Sequence, residues 1–209
     1  MSKPARPTKP TLSQEYIAGV ALAVIDSMGL GKFSMRKLGA EIGVDPMAVY
    51  YYFDDQEALF DAVAELLFEE FDVDSLPWRG TWRALLEQSY GRMRDTLAAH
   101  PHAVPVFASR PIRSAKAIAT GNQTLASLRE AGFAPEVALQ MTRSLRDYTI
   151  GHAMGLAAVQ LGARRRSRKP EPGAPGYNLL AESADAVDID QHFGLGLTAM
   201  LDGFDRLKS

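Results

Sequence analysis

Apolar residues recur three and four positions apart through most of this chain, the spacing that gives a helix one buried face. From Ser13 to Met28, Ile17, Val20, Ala21, Val24, Ile25 and Met28 line one side. Ser13 stands where a cap is needed, and Gly29 and Gly31 stand where the helix must stop. From Asp55 to Phe71 the stripe is Leu59, Val63, Leu66, Leu67 and Phe71. From Thr81 to Ala99 it is Trp82, Leu85, Leu86, Tyr90, Met93 and Leu97. A short helix is read over Val104 to Ala108, ahead of Pro111, and a less apolar one over Ile112 to Ala131, ended by Gly132. Pro135 opens a long helix to Leu161, with Met141, Leu145, Tyr148, His152, Leu156 and Val159 on one strip and Gly151, Gly155 and Ala158 on another. Asp188 or Asp190 caps a last helix carrying Phe193, Leu197, Leu201, Phe204 and Leu207. The expected fold class is all-α.

Between the first helix and Asp55 lies the stretch that organises the chain, Phe33 to Phe60. It reads as two short helices around a glycine turn, followed by the start of a third. Ser34 and Asp45 are placed to cap the two helices, and Pro46 sits at a first helical position, where its missing N–H costs nothing. Gly43 falls at the sharp turn, and Gly39 leaves room for the second helix to cross closely. Leu38, Ile42, Val44 and Val49 supply the seam. A plain helical hairpin has the same outline, but Tyr50, Tyr51 and Tyr52 are adjacent, and neighbours on a helix lie about 100° apart. One or two of them must therefore stand in solvent, where a tyrosine suits phosphates and base edges. The pattern is that of a helix-turn-helix whose second helix enters the major groove of DNA.

Leu38 to Val63, with the helix before it, resembles the tetracycline-repressor (TetR) family; the remainder is similar in helicity and length. The resemblance implies an N-terminal three-helix DNA-binding domain and a larger helical C-terminal domain for ligand binding and dimerisation. It also implies a fourth helix that links the two and moves when ligand binds. On that basis residues 1–54 are the arm and reading domain, 55–80 the linking helix and boundary marked by Pro77, and 81–209 the C-terminal domain. The implied DNA contacts are Arg36 to a base edge, Met47 and Ala48 to bases, and Tyr50, Tyr51 and Tyr52 to phosphates and nearby bases. Lys37, Pro46 and Gln56 complete the set. Two positions depart from the family pattern: Gln56 stands where a lysine usually faces a phosphate, and Asp54 lies where the DNA backbone is expected to run. The second helix also lacks Arg, Lys, Asn and Gln, so direct readout falls to methyl contacts with thymine, tyrosine hydroxyls and Arg36.

The implied partners are a two-fold-related double-stranded DNA operator, a second copy of the chain through 135–161 and 189–208, and a small-molecule effector. For the effector, Gln88, Met93, Phe107, Gln123, Met141, Asp147 and His152 are the expected lining, being polar or soft residues on otherwise aliphatic faces. The expected function is a ligand-responsive transcriptional regulator, a repressor, acting in the cytoplasm. The alternatives are a helical module of this shape that has lost DNA binding, favoured by Asp54, Asp55 and Gln56, and a helical enzyme. Against the enzyme, no glycine-rich phosphate loop, HExxH or GxSxG occurs.

Composition adds limits. The chain has 209 residues, 46% of them hydrophobic, and no cysteine, so disulfide and thiol chemistry are excluded. A net charge of −2 argues against a general nucleic-acid binder but leaves room for a local basic surface. There is no apolar run of about eighteen residues and no secretory signal, so no membrane partner is expected. His100 and His102 flank Pro101 without a third ligand nearby, and no metal or other cofactor is expected. Residues 1–12 hold three prolines and three basic residues, either a solvated tail or an arm for phosphates or the minor groove. The basic run Arg164 to Lys169 follows a helix C-terminus, where cations are favoured, and opens a Pro- and Gly-rich loop to Asp188.

Overall fold

The computed structural model describes residues 12–162 and 189–208. The expected N-terminal arm, the basic run, the loop up to Asp188 and the Asp188 cap lie outside them. The described residues form nine α-helices and no strand: α1 Gln14–Met28, α2 Met35–Ile42, α3 Pro46–Tyr50, α4 Gln56–Glu69, α5 Trp82–Ala99, α6 Val104–Ser109, α7 Ala115–Glu130, α8 Pro135–Gln160 and α9 Ile189–Asp205. Among the described residues no helix is long and apolar enough to cross a membrane.

The helix starts are set by short polar side chains. Ser13 Oγ accepts the N–H of Tyr16 at 3.1 Å and Ser34 Oγ that of Lys37 at 3.3 Å. Asp45 Oδ1 accepts from the Met47 N–H at 2.8 Å and Asp55 Oδ1 from the Ala58 N–H at 2.7 Å. Each such cap contributes about 1 kcal/mol. Two starts differ from the sequence reading. α7 opens at Ala115, with Ser114 Oγ accepting the Ala117 N–H, so Ile112 lies outside the helix in the segment after Pro111. α9 opens at Ile189, which puts Asp190 inside the helix rather than at its cap.

Ile17, Ala21 and Ile25 of α1, Leu38 of α2, Val49 of α3 and Leu59 and Val63 of α4 are all fully buried. They belong to one cluster that does not stop at the linking helix. It continues through Leu67, Phe71, Leu97, Val104 and Phe107 to Ala153 and Ala157 of α8. A second cluster joins Leu86, Leu128, Phe133, Met141 and Leu145 to Phe193, Leu197 and Leu201 of α9. On α8 the buried face drifts after Leu145 to Thr149, Ala153 and Ala157, four residues apart, and Val159 is left exposed. Tyr148 lies across α9 where Gly196 presents no side chain, and its hydroxyl donates to the carbonyls of His192 at 3.2 Å and Phe193 at 3.0 Å.

Where α1, α4 and the turn after α5 meet, His100 stands between two carboxylates. Its Nδ1 is 2.6 Å from Asp26 Oδ2 and its Nε2 2.9 Å from Glu70 Oε2. Next to it the His102 Nδ1 donates to the Asp26 carbonyl at 2.9 Å. A carboxylate only accepts, so satisfying both oxygens requires the imidazolium form of His100. Burial pushes the His100 pKa down, but the hydrogen bonds and charges of Asp26 and Glu70 outweigh it, and the net shift is upward. A raised histidine pKa adds stability that is full below its ordinary value of about 6.5 and is lost as pH rises through the raised value. Thermal unfolding from pH 6 to 8.5 should therefore show a loss of stability toward high pH that His100→Gln lacks. Parallel curves for the two proteins would exclude this coupling.

Candidate functional site

The turn between α2 and α3 is closed by Gly43 in the left-handed conformation, φ 79° and ψ 35°, as the sequence requires. A Cβ on Gly39 would stand 3.0 Å from Pro46 Cα and 3.1 Å from the Val44 carbonyl oxygen. The two helices thus cross at backbone distance. Val49 is fully buried and pins the inner side of α3. Met47, Tyr50 and Tyr51 fall at i, i+3 and i+4, one face of the helix, and are 65%, 41% and 88% exposed. So much apolar surface left open on a five-residue helix marks a contact face.

The other expected DNA contacts are placed less uniformly. Arg36 is exposed on the first turn of α2 and makes no hydrogen bond or ion pair among the described residues. Lys37 is also exposed, but its Nζ donates to the Lys32 carbonyl at 2.6 Å. Pro46, Ala48 and Gln56 are half-buried. Tyr52 packs partly against the core, and its carbonyl accepts from Gln14 Nε2 at 2.8 Å. Its position one residue past the exposed pair turns it inward, so the outward tyrosines are Tyr50 and Tyr51. Asp54 is exposed beside them.

In the larger helical part lies a cavity of about 650 Å³, bounded by the end of α4, by α5 to α8 and by the segment after α6. Of the seven residues expected to line it, Met93 and Phe107 do so. The other five do not. Gln88, Gln123 and Asp147 face solvent. Met141 is fully buried in the second core cluster. His152 is buried with its ring 5.0 Å from that of Phe193 and 5.3 Å from that of His192. Gln88, Gln123 and Asp147 thus occupy the outer faces of α5, α7 and α8. The walls are instead Phe68, Phe71, Leu76, Leu86, Tyr90 and Ile112, with Arg110, Arg143 and Arg146 among the polar members. The Tyr90 hydroxyl donates to the Thr142 carbonyl at 2.7 Å, and burial drives its pKa far above the usual phenol value, so it stays neutral.

The cavity wall and the linking helix are joined by a row of charges. Glu57, Asp61, Glu65 and Glu69 follow one another at four-residue steps, so they share one side of α4. Against them runs the segment from Arg110 to Lys116. The Arg110 guanidinium donates to Glu57 and, at 3.2 Å, to Asp61. It also lies 5.9 Å from the Phe60 ring. The backbone N–H groups of Arg113 and Ser114 both donate to Glu65 Oε1, at 2.8 and 2.9 Å, and Lys116 Nζ to Glu69 Oε2 at 2.6 Å. The same segment supplies Arg110, Pro111 and Ile112 to the cavity. The four-step acidic row was visible in the sequence; its partner was not, because the two strips are about fifty residues apart. Among the described residues no group of three or more His, Cys, Asp or Glu could hold a metal ion.

A helix-turn-helix head coupled through one helix to a helical body with an apolar cavity is the build of a transcriptional regulator that senses a small molecule. Comparison with known proteins agrees. The family model for bacterial regulatory proteins of the tetR family matches residues 17–63. That for the tetracyclin repressor-like C-terminal domain matches residues 76–207, more than half of the chain. The chain is 29% identical over 224 residues to the HTH-type transcriptional repressor DrrR1 of Streptomyces coeruleorubidus, covering 98% of this chain and 82% of that protein. It is also 29% identical over 202 residues to the class A tetracycline repressor protein of transposon 1721 from Escherichia coli, covering 94% and 92%. The crystal structure of TetR from Acinetobacter baumannii AYE superposes with a TM-score of 0.79 at 25% identity, covering 95% of this chain and 100% of that one.

The chain belongs to the TetR family. It is accordingly a ligand-responsive transcriptional repressor that binds a DNA operator as a homodimer. The family is one of regulators, not of enzymes.

Gly39→Ala tests whether the close crossing sets the reading helix. The added Cβ meets backbone, which cannot swing aside as a side chain can, so α3 has to shift. Denaturant unfolding should show a loss of about 1–3 kcal/mol. Operator binding should weaken beyond what the unfolded fraction explains. Unchanged stability and affinity would show that the crossing has slack.

Proposed function

We propose that residues 1–54 read the operator, that 55–80 link and bound the two parts, and that 81–209 sense the effector and hold the dimer together. Within the reading domain Arg36, Met47, Tyr50 and Tyr51 carry the principal contacts. Arg36 is the guanine-seeking group, Met47 the thymine-methyl contact, and the tyrosines reach phosphates and neighbouring bases. Lys37, Pro46, Ala48, Tyr52 and Gln56 frame that surface. The cavity of about 650 Å³ is the effector site. The partner protomer packs on the exposed faces of α8 and α9, where Gly151, Gly155, Met154 and Val159 and, on α9, Leu195 stand open. The place of action is the cytoplasm, where operator and effector meet.

The observation that carries this reading is the clasp between Arg110–Lys116 and the acidic side of α4. An effector entering the cavity presses on Pro111 and Ile112. Because Arg110, Arg113, Ser114 and Lys116 are tied to α4, that displacement reaches the helix that opens directly after the tyrosines. The effector changes DNA affinity by the difference in its affinity for the two positions of the wall. In a dimer the same shift alters the spacing of two reading helices against a fixed operator.

The reading is tested by fluorescence anisotropy with DNA selected from a random pool and with the chain's own upstream DNA, over a salt series. Sequence-selective binding that weakens steeply with salt is expected. Absence of any selective binding would favour a module that has lost DNA recognition, the reading that Asp54 and Gln56 support. Arg36→Ala should cost about 1–3 kcal/mol and relax preference at one base pair of each half-site. Arg110→Ala should weaken operator binding by the ligand-free protein by roughly fivefold, about 1 kcal/mol, with base preference intact. An unchanged affinity would remove the clasp from the coupling path.

A further inference from the structure

The cavity has a sign. Its described lining holds three guanidinium groups, those of Arg110, Arg143 and Arg146, and no Asp, Glu or His. Arg110 is already held by Glu57 and Asp61. Arg143 makes no hydrogen bond or ion pair among the described residues. The ion pair of Arg146 is with its sequence neighbour Asp147, at 3.6 Å and largely in solvent. Arg143 and Arg146 are three residues apart on α8 and so stand on one side of it. Two cations beside an apolar chamber repel each other; no acid in the described lining offsets them, although Asp147 outside it partly balances Arg146 and solvent reaches Arg143.

The neutral hydrogen-bonding groups do not change this balance. The Ser89 hydroxyl donates to the Leu85 carbonyl at 2.6 Å, that of Thr124 to the Thr120 carbonyl at 2.9 Å, and that of Tyr90 to Thr142. The hydroxyls of Ser109 and Thr142 are engaged too, so the donors left for a guest are the two guanidinium groups and the Thr120 hydroxyl, and only the guanidinium groups carry charge. The same lining is aromatic in part, with Phe71 and Phe107 edge to face at 5.4 Å and Phe68 beside Phe71 at 5.7 Å. Such walls favour a ring system over a branched aliphatic body.

We propose that this cavity takes an anionic aromatic ligand, its rings against Phe71 and Phe107 and its acidic group held by Arg143 and Arg146. A planar oxyanion such as a carboxylate matches the fork of a guanidinium. The proposal rests on the reading of the cavity as the effector site and adds the chemical class of what enters it.

The test uses two probes with one ring skeleton, 1-anilinonaphthalene-8-sulfonate and the uncharged N-phenyl-1-naphthylamine, titrated by fluorescence into the full-length protein. The sulfonate is expected to bind at least tenfold more tightly, with a preference that shrinks as salt rises. The double variant Arg143→Gln, Arg146→Gln should erase the preference while leaving the neutral probe's affinity unchanged. Arg143→Lys, Arg146→Lys should keep most of it. Thr120→Trp, which fills the chamber, should weaken both probes. Equal affinities in the unmodified protein, a preference that survives the double Gln variant, binding untouched by Thr120→Trp, or no binding of either probe would each overturn the proposal. Operator anisotropy in the presence of the sulfonate separates the two readings. A probe held through Arg143 and Arg146 that leaves operator affinity unaltered keeps the ligand class and removes the effector role.

Discussion

The fourth helix has two long faces, and this protein depends on both being occupied at once. Leu59, Val63 and Leu67 face the core shared with α1, α5 and α6, while Glu57, Asp61, Glu65 and Glu69 face the segment between α6 and α7. The apolar face fixes the helix in place by burial, which is strong and without direction. The acidic face fixes it along its axis, through bonds that lose strength with small displacements. Neither would serve alone. A helix held only by oily contacts can slide, and one held only by half-exposed ion pairs contributes little to stability. The cavity wall, through Phe68, and the histidine at the junction, through Glu70, both meet this one element.

The packed core runs through the 55–80 stretch. Buried residues run without a break from Ile17 in α1 to Ala157 in α8, so the head and the inner half of the body form a continuous solid. The second cluster, around Met141, Leu145 and Leu201, is a separate mass that meets the first along α5, where the neighbours Leu85 and Leu86 join different clusters. A continuous packed interior passes on a displacement because it has little free volume to absorb it.

The parts legible in the sequence were those decided by near neighbours. Ser13, Ser34, Asp45 and Asp55 cap as their positions require, Gly43 turns left-handed, and adjacent tyrosines cannot all be buried. The parts that were not legible depend on which side of a helix the remote chain covers. Met93 and Phe107 reached the cavity because they lie on strongly apolar stripes, whereas Gln88, Gln123 and Asp147 were chosen for polarity and face water. His100, for which the sequence offered no partner, sits between Asp26 of α1 and Glu70 at the C-terminal cap of α4. Nothing in the sequence around Arg143 and Arg146 tells that they border a chamber. In each case the residue type was plain and its neighbours were not.

The division of labour along α5 has an evolutionary consequence. Leu85 and Leu97 are committed to the cluster that carries the reading head, while Leu86 belongs to the other cluster and to the cavity wall. Half of the chamber's remaining lining residues come from α7, α8 and the segment after Ser109, which pack on neither α2 nor α3. Mutation can therefore rework the chemical taste of the chamber one wall at a time without disturbing the surface that recognises an address on the chromosome. A lineage built this way can acquire a new signal while keeping its old gene, or keep its signal and move to another gene.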